Sequence, residues 1–472
     1  MKFRRLVLTA ALLPVLGRGI AAQDAPPGDQ GTPPKQDEGR GDEDKGDLRK
    51  RLEELEQKLK ILERQKEVEQ EVSASKAKDA ATVVAGKDGF VIKSADGAHQ
   101  LKIRALLQTD GRFWGDDQVK PATDTFELRR ARPIIEGTVS KFFDFRIVPD
   151  FGEGKTVLQD AYVDWRFTPW MRLRAGKFKS PVGLERLQSA GDIVFVERAL
   201  PTNLVPNRDV GLQLYGDVLE GVFSYALGVF NGVPDAGNVD LDTNDSKETA
   251  ARIFLQPFKR SSVQSLQSLG FGVAATYGHS LGTATATGLP SYKTSGQQTF
   301  FSYRSDGTVP NTAIADGRRY RVSPQAYWYA GRFGALAEYV ESYQEVGRTT
   351  SRDDLKNRAW QVTAIFALSD DRPTYKGIAP KRPFDPAGHA WGAFEIVARA
   401  SALKVDDKAF TVYADPATAA SEARERGVGF NWYASRNVKL MLDYIQTRFS
   451  GGDAAGDRED EKVLLDRFQI SF

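Results

Sequence analysis

The chain has 472 residues, a formal net charge of +2, no cysteine, 43 glycines and 10% aromatic residues. The absence of cysteine excludes disulfide staples, so a secreted chain of this length needs another source of rigidity, which a large closed sheet supplies. The near-neutral total gives no sign of a nucleic-acid partner and leaves the placement of the charges as the informative quantity.

Met1-Lys-Phe-Arg-Arg precedes an apolar run from Leu6 to Leu16 and the small pair Ala21-Ala22, which predicts a secretory signal peptide over 1–22. The run is shorter than the roughly 20 residues of a helical membrane span, and no later segment reaches that length. Residues 23–46 are rich in Pro, Gly and charge and are expected to be a disordered linker. Over 47–72, Leu48, Leu52, Leu55, Leu59 and Leu62 alternate four and three apart, the seam of a short coiled coil. A solvated single helix is the alternative, since the seam is short. An Ala/Lys/Gly-rich linker is expected over 73–89.

From Phe90 to Phe472 the period changes to two. Ala161, Val163, Trp165 and Phe167 alternate with Asp160, Tyr162, Asp164 and Arg166; Val438, Leu440, Leu442 and Tyr444 alternate with Lys439, Met441 and Asp443. Pro324 and Ile365 break the phase. The same alternation fits a soluble sandwich with its apolar face inward or a membrane barrel with its apolar face in lipid. Trp and Tyr near strand ends (Trp114, Trp170, Tyr215, Trp391, Tyr444), long polar segments alternating with tight turns, and a last residue Phe472 favour the barrel. At roughly 20–25 residues per strand and connection, 90–472 suits about 16 strands. The fold class expected is therefore all-β, a transmembrane antiparallel barrel of about 16 strands preceded by a short helical coiled-coil segment.

The stretch from Ser180-Pro-Val-Gly-Leu-Glu-Arg through Phe195-Val-Glu-Arg-Ala-Leu-Pro resembles the phosphate-selective porin O/P family. Phe126-Glu-Leu-Arg-Arg-Ala-Arg, Asn207-Arg-Asp-Val-Gly-Leu-Gln and Trp391-Gly-Ala-Phe-Glu support it, and the resemblance runs in order over roughly 90–472. It implies an outer-membrane homotrimer of sixteen-stranded pores, surrounded by lipid, that passes inorganic anions or small solutes along basic side chains. Carried over position by position, those pore-lining, anion-binding residues are Lys102, Arg129, Arg130, Arg174, Lys177, Arg186 and Arg198. Two departures stand out. The region matched to an inward loop rich in arginine, 278–300, holds Lys293 as its one basic residue, and the position of a binding-site acid holds Gln159, next to Asp160. Anion preference thus carries over better than phosphate specificity, and a broad anion pore is expected.

Arg129 and Arg130 are neighbours, and neighbours in a strand point to opposite faces, so they cannot both face the lumen without a bulge or a position above the lipid. At least one is expected in the lumen, the other snorkelling, bulging or packing at the trimer contact. Either could equally pair with a wall carboxylate such as Glu127 or Glu136. No cofactor or metal site is expected: His99, His279 and His389 are far apart, and there is no cysteine for zinc. Two other classes remain as alternatives. One is a barrel that anchors an envelope tether through the coiled coil; the other is an outer-membrane hydrolase using His279-Ser280.

Overall fold

The computed structural model describes residues 43–86, 89–115, 118, 121–242 and 244–472. The expected signal peptide over 1–22 and most of the linker over 23–46 lie outside them. The described residues divide into two units, split between Ser75 and Lys76.

Helix α1 spans Glu43–Asp79. It begins inside the expected 23–46 linker and runs through much of the 73–89 one. Good helix formers continue past Val72, and neither Gly nor Pro interrupts the sequence from Asp47 to Ala85. Leu48, Leu52, Leu55, Leu59 and Leu62 are all exposed in the single chain. The rest of that expected linker is a strand rather than coil: Thr82–Gly86 and Gly89–Lys93 form a hairpin.

Sixteen antiparallel strands then close a barrel. Strands β1 to β5 are Gln100–Gly115, Thr125–Val139, Phe143–Asp150, Val157–Thr168 and Met171–Phe178. Strands β6 to β10 are Asp209–Val218, Phe223–Phe230, Glu248–Leu255, Gly270–Leu281 and Ile314–Ala330. Strands β11 to β16 are Phe333–Arg348, Ser351–Ala367, Ala393–Lys404, Ala420–Tyr433, Val438–Asp453 and Glu461–Ser471. Each pairs with the next, and β16 closes on β1 with Phe468 opposite Thr109 and Ile470 opposite Leu107. Closure removes the free edges that lipid would leave unsatisfied. The barrel starts at Gln100, later than the expected residue 90, because the hairpin takes the residues between. Its second strand extends the β1 edge beyond the end of β16, and the Phe90 ring meets that of Phe472 edge-on at 6.1 Å.

Burial is inverted relative to a soluble sheet. On β12, Val362 is 50% exposed while Gln361, its neighbour, is 1% exposed. On β13 to β15, Ile396, Phe430 and Leu442 face out while Glu395, Asn431 and Asp443 are buried. Apolar residues therefore face lipid and polar residues face the lumen.

The lumen is not empty. Residues 179–208, the connection from β5 to β6, fold inward from the end opposite both barrel termini, hereafter the loop end. Leu184, Ile193, Phe195, Val196, Leu200 and Leu204 are fully buried there. Phe195 and Val196 pack against Ile365, Met441 and Ile445 of the wall. Ile365, which broke the outward phase in the sequence, thus points inward to this contact. The segment has one helical turn, Leu184–Leu187, and a 3-10 turn, Leu200–Leu204. Wall side chains meet many of its remaining backbone groups. Asp443 accepts from the Val196 N–H at 2.6 Å and Glu338 from the Leu184 N–H at 2.6 Å. Asn431 donates to the Val194 carbonyl, Lys439 to that of Ile193 and Gln108 to that of Ala190, at 2.8–3.0 Å. A second inward connection, 282–313, carries the hairpin Ser291–Lys293/Thr299–Ser302. Its Ser295 N–H donates to Glu425 and its Thr294 hydroxyl to Glu461. From the opposite end, Tyr375 in the β12–β13 connection donates to the Leu184 carbonyl.

Candidate pore constriction

The register between β1 and β2 shifts by one residue: Gln108 pairs with Arg130, but Thr109 pairs with Leu128. Arg129 is the extra residue. This bulge turns both guanidinium groups inward, the one way two neighbouring arginines share a lumen. Both meet Glu197 of the inward connection, Arg129 at 2.6 Å and Arg130 at 3.8 Å. Arg112 and Arg467 reach the same carboxylate at 3.4 and 3.5 Å. Arg129 also pairs with Glu153, and Arg467 forms a two-pronged pair with Asp110. Burial alone would raise the Glu197 carboxyl, but Arg129, Arg130 and Arg467 outweigh it and hold it well below the usual carboxylate range. The site is an anchor of alternating charge rather than a free cation.

Two cavities flank the inward connection. One, of about 590 Å³, opens toward the loop end and includes Arg129, Arg130, Arg186, Arg198 and Lys293. The other, of about 460 Å³, lies toward the terminal end and includes Arg146, Arg174 and Tyr215. Arg132, Lys179, Ala190 and Arg208 line both. Three of the four side chains at this junction are therefore cationic.

The partners of these cations fall into two kinds. Arg132 donates to Asp150 at 2.7 Å and Arg208 to Asp160 at 3.0 Å, so each of these two arginines is oriented by a carboxylate. Three other cations of the inward connection, Lys179, Arg186 and Arg198, instead bond neutral carbonyls. Lys179 donates to Gln188 at 2.6 Å, Arg198 to Gln188 and Glu185 backbone oxygens at 2.8 and 3.0 Å, and Arg186 to Thr202 at 2.5 Å. Carbonyls fix geometry without cancelling charge. Burial, then Arg198 and Arg208, push the Lys179 ammonium well below the ordinary lysine range. Burial, then the same two arginines, lower Arg186 to about 9. The constriction carries more positive charge than its own carboxylates balance.

The residues anticipated from sequence divide accordingly. Arg129, Arg130, Arg186 and Arg198 border the loop-end cavity. Arg174 borders the other, clamped to Asp164 at 2.7 and 2.8 Å, its guanidinium 4.0 Å from the Tyr162 ring centre. Lys102 lies in the inward phase near the terminal end, opposite Glu136 and outside both cavities. Lys177 does not face the lumen. It shares the outward phase of Ala175, opposite Ala161, and is neutralised by Asp240 of the connection that covers it. Its place next to the end of β5 lets a loop acid reach the outer wall.

Arg132, Lys179 and Arg208 were missed as site residues, although Arg132 shares the phase of Arg130 and the other two flank the inward connection. Gln159 sits where the β3–β4 register shifts and donates to Asp150; Asp160 takes the acidic role, binding Arg208. The inward connection with convergent cations is 179–208, whereas 278–300 contributes Lys293 alone. Arg319 and Arg321 are buried and neutralised by Glu248 and Asp235.

The family described as Phosphate-selective porin O and P matches residues 101–472. Porin O of Pseudomonas aeruginosa is 24% identical over 404 residues, covering 79% of this chain and 90% of that protein. Among solved structures, the outer membrane channel DcaP of Acinetobacter baumannii is 11% identical, with a TM-score of 0.52 over 82% of this chain and all of that one. OmpT of Vibrio cholerae, expressed in the outer membrane, is 10% identical, with a TM-score of 0.50 over 79% of this chain and 98% of that one. These two likenesses establish the barrel fold.

The Glu197 anchor yields a direct test. Glu197→Gln leaves four arginines around a neutral amide, and breaking a buried pair this way costs about 3–5 kcal/mol. Single-channel records of this variant should show frequent current fluctuations as the inward connection loosens, where the parent protein gives steady steps. Equally steady records would show that the anchor does not hold the constriction.

Proposed function

For this chain, which belongs to the phosphate-selective porin O and P family, we propose an outer-membrane pore that selects small anions and holds phosphate-class oxyanions transiently at the Arg132, Lys179 and Arg208 constriction. The observation that carries the reading is the charge of the lining. Nine basic side chains against four acidic ones border the loop-end cavity, and six against two border the other. Basic residues outnumber acidic ones at both depths, so the balance along the route favours anions whichever half is narrower. An anion entering a partly desolvated passage loses hydration, and guanidinium and ammonium donors replace it. Arg132 and Arg208 are held in place by Asp150 and Asp160, while Lys179, Arg186 and Arg198 supply the uncompensated charge. The loop end faces the outside, so solutes meet the larger cavity first.

A second reading concerns α1. Its leucine seam is exposed in one chain, and two heptads are marginal alone. We propose that the barrels form a homotrimer whose three copies of 47–72 pair through this seam on the periplasmic side. Tethering raises their effective concentration to about the millimolar range. The barrel remains the conducting element, and the helix is an accessory to assembly or envelope contact.

In a planar bilayer with a salt gradient, the parent protein should give an anion-selective reversal potential. Lys179→Glu with Arg208→Glu should move it toward cations, and phosphate should reduce chloride current in the parent protein at concentrations at least tenfold lower than in that variant. A parent pore that already prefers cations ends the proposal.

Selectivity should also depend on pH. The Lys179 ammonium is depressed, so its charge is complete at low pH and is lost as pH rises through that lowered value. Anion preference should therefore decline with rising pH at values below the ordinary lysine range, and Lys179→Arg should flatten the decline. An identical slope in both proteins would assign the titration to another group.

Deleting 47–72 should leave conductance intact while removing the helical circular-dichroism signal. Loss of conductance, or monomeric barrels, would make the helix the driver of assembly.

A further inference from the structure

The outward face of β12 to β15 changes character toward the loop end. Its lower rows are apolar: Phe366, Ile396, Phe430 and Leu442 stand side by side, followed by Ala364, Ala398, Val428 and Tyr444. Basic residues then appear in three successive rows. Arg426 follows Ala400; Arg424 and Arg448 follow Trp360 and Ala402; Arg358 and Lys404 lie side by side above them.

Two features of this arrangement call for an anion outside the protein. Arg424 lies directly opposite Arg448, and Arg358 directly opposite Lys404, and like charges so placed on adjacent strands repel. The available acids are Glu422, which clamps Arg424 at 2.6 Å, Glu341 at 3.2 Å from Arg358, Asp407 at 3.4 Å from Lys404 and Asp460 at 3.4 Å from Arg448. All lie level with the outermost row or in the loops beyond it. Arg426, the basic residue nearest the apolar rows, is exposed and makes no ion pair among the described residues. An unpaired arginine on a lipid-facing wall is costly unless it reaches the headgroup layer.

Depth places that layer here. Arg424 is eight residues along β14 from Trp432, and at about 3.3 Å per residue and a tilt of about 40° this is roughly 20 Å along the barrel axis. Trp432 donates to the Trp391 carbonyl within the aromatic girdle of the terminal end. Arg424 and Arg448 thus stand near the far edge of an apolar band about 25 Å tall, and Arg426, two residues nearer the girdle at roughly 15 Å, reaches the headgroup layer by extending its long side chain toward it. Trp360, Arg424, Arg426 and Arg448, with Glu422 and Asp457, border a recess of about 630 Å³.

We propose that this recess binds the phosphate-bearing headgroup of an outer-leaflet lipid, with Arg424, Arg426 and Arg448 on the phosphate and Trp360 against the start of the acyl chains. The proposal rests on the outward orientation of the loop end. Lipid is the occupant because the charge sits where acyl chain gives way to headgroup. A two-fold contact of this face with itself would oppose arginine to arginine; contact with a different face of a neighbouring subunit is the competing occupant that the test below separates from lipid.

The test uses the full-length protein in nanodiscs and native mass spectrometry, with bisphosphorylated lipid A and the same lipid stripped of phosphate as probes. The parent protein should retain lipid A, and retain the stripped lipid at least tenfold less. The triple variant Arg424→Glu, Arg426→Glu, Arg448→Glu should lose lipid A at least tenfold, and excess inorganic phosphate should not displace it. If the charge reversals impair folding, the corresponding glutamine triple variant should still lose it at least threefold. Equal retention of both lipids, equal retention by parent and variants, or displacement by inorganic phosphate overturns the site. Dissociation of oligomers with lipid retention unchanged would reassign the face to a subunit contact and overturn it as well. The reversal potential of the same preparations reads the lumen alone, so failure of the anion-pore reading registers separately.

Discussion

A closed barrel satisfies its own wall hydrogen bonds, but an irregular segment folded into its lumen does not. Each N–H or carbonyl that residues 179–208 bury without a partner would cost about 1–3 kcal/mol. The wall must therefore supply polar side chains at defined heights. Asp443, Glu338, Asn431, Lys439 and Gln108 do so, each bonding a backbone group of that segment. The pore geometry depends on this match. Buried Phe195 and Val196 add apolar contact with Ile365, Met441 and Ile445, and packing without the hydrogen bonds would leave a collapsed but unregistered plug.

This requirement sorts the charges. A carboxylate accepts a backbone N–H well and loses little mobility in doing so. Asp443, Glu338 and Glu425 are consumed in that way on β11, β14 and β15. Those acids face packed loops rather than water. The wall from β2 to β6 faces the open cavities, and there basic residues dominate. A chain that is almost neutral overall, with 65 basic and 63 acidic residues, thereby lines its two lumen cavities with more basic than acidic side chains. Net charge could not reveal this, because the sorting is by place and not by amount.

The wall was legible in the sequence because a strand's period of two survives without tertiary information. Strand number followed from spacing. The inward connection was harder to read. Its apolar residues, Val194-Phe-Val196 among them, carry no regular period, since they pack against wall residues more than a hundred positions away. Ile365 looked out of phase for the same reason. For the Arg129–Arg130 pair the sequence left a bulge, a position above the lipid, snorkelling and a subunit contact all open, and the register contains the bulge. Lys177 was misplaced because a motif match carries residue type but not strand parity. Arg132 and Arg208 became visible as junction residues only when 179–208 was seen to divide the lumen in two.

On the anion-pore reading proposed above, the neutral partners of the constriction cations would let the pore both attract and release. Lys179, Arg186 and Arg198 are oriented by carbonyl oxygens, which fix direction without supplying a counter-charge. Had each been paired with a carboxylate, an entering anion would have to displace a full negative charge, and the passage would repel at close range what it attracts at long range. Held by dipoles, the cations repel one another, and this repulsion adds to burial, the larger cause, in lowering the proton affinities of Lys179 and Arg186; in the proposed pore an anion would relieve that repulsion on arrival. Mutual repulsion among the cations is the attraction felt by the anion. The carboxylates that remain, Asp150 and Asp160, sit behind Arg132 and Arg208 and limit the depth of the well. A well of limited depth favours throughput, because an ion must leave as readily as it enters.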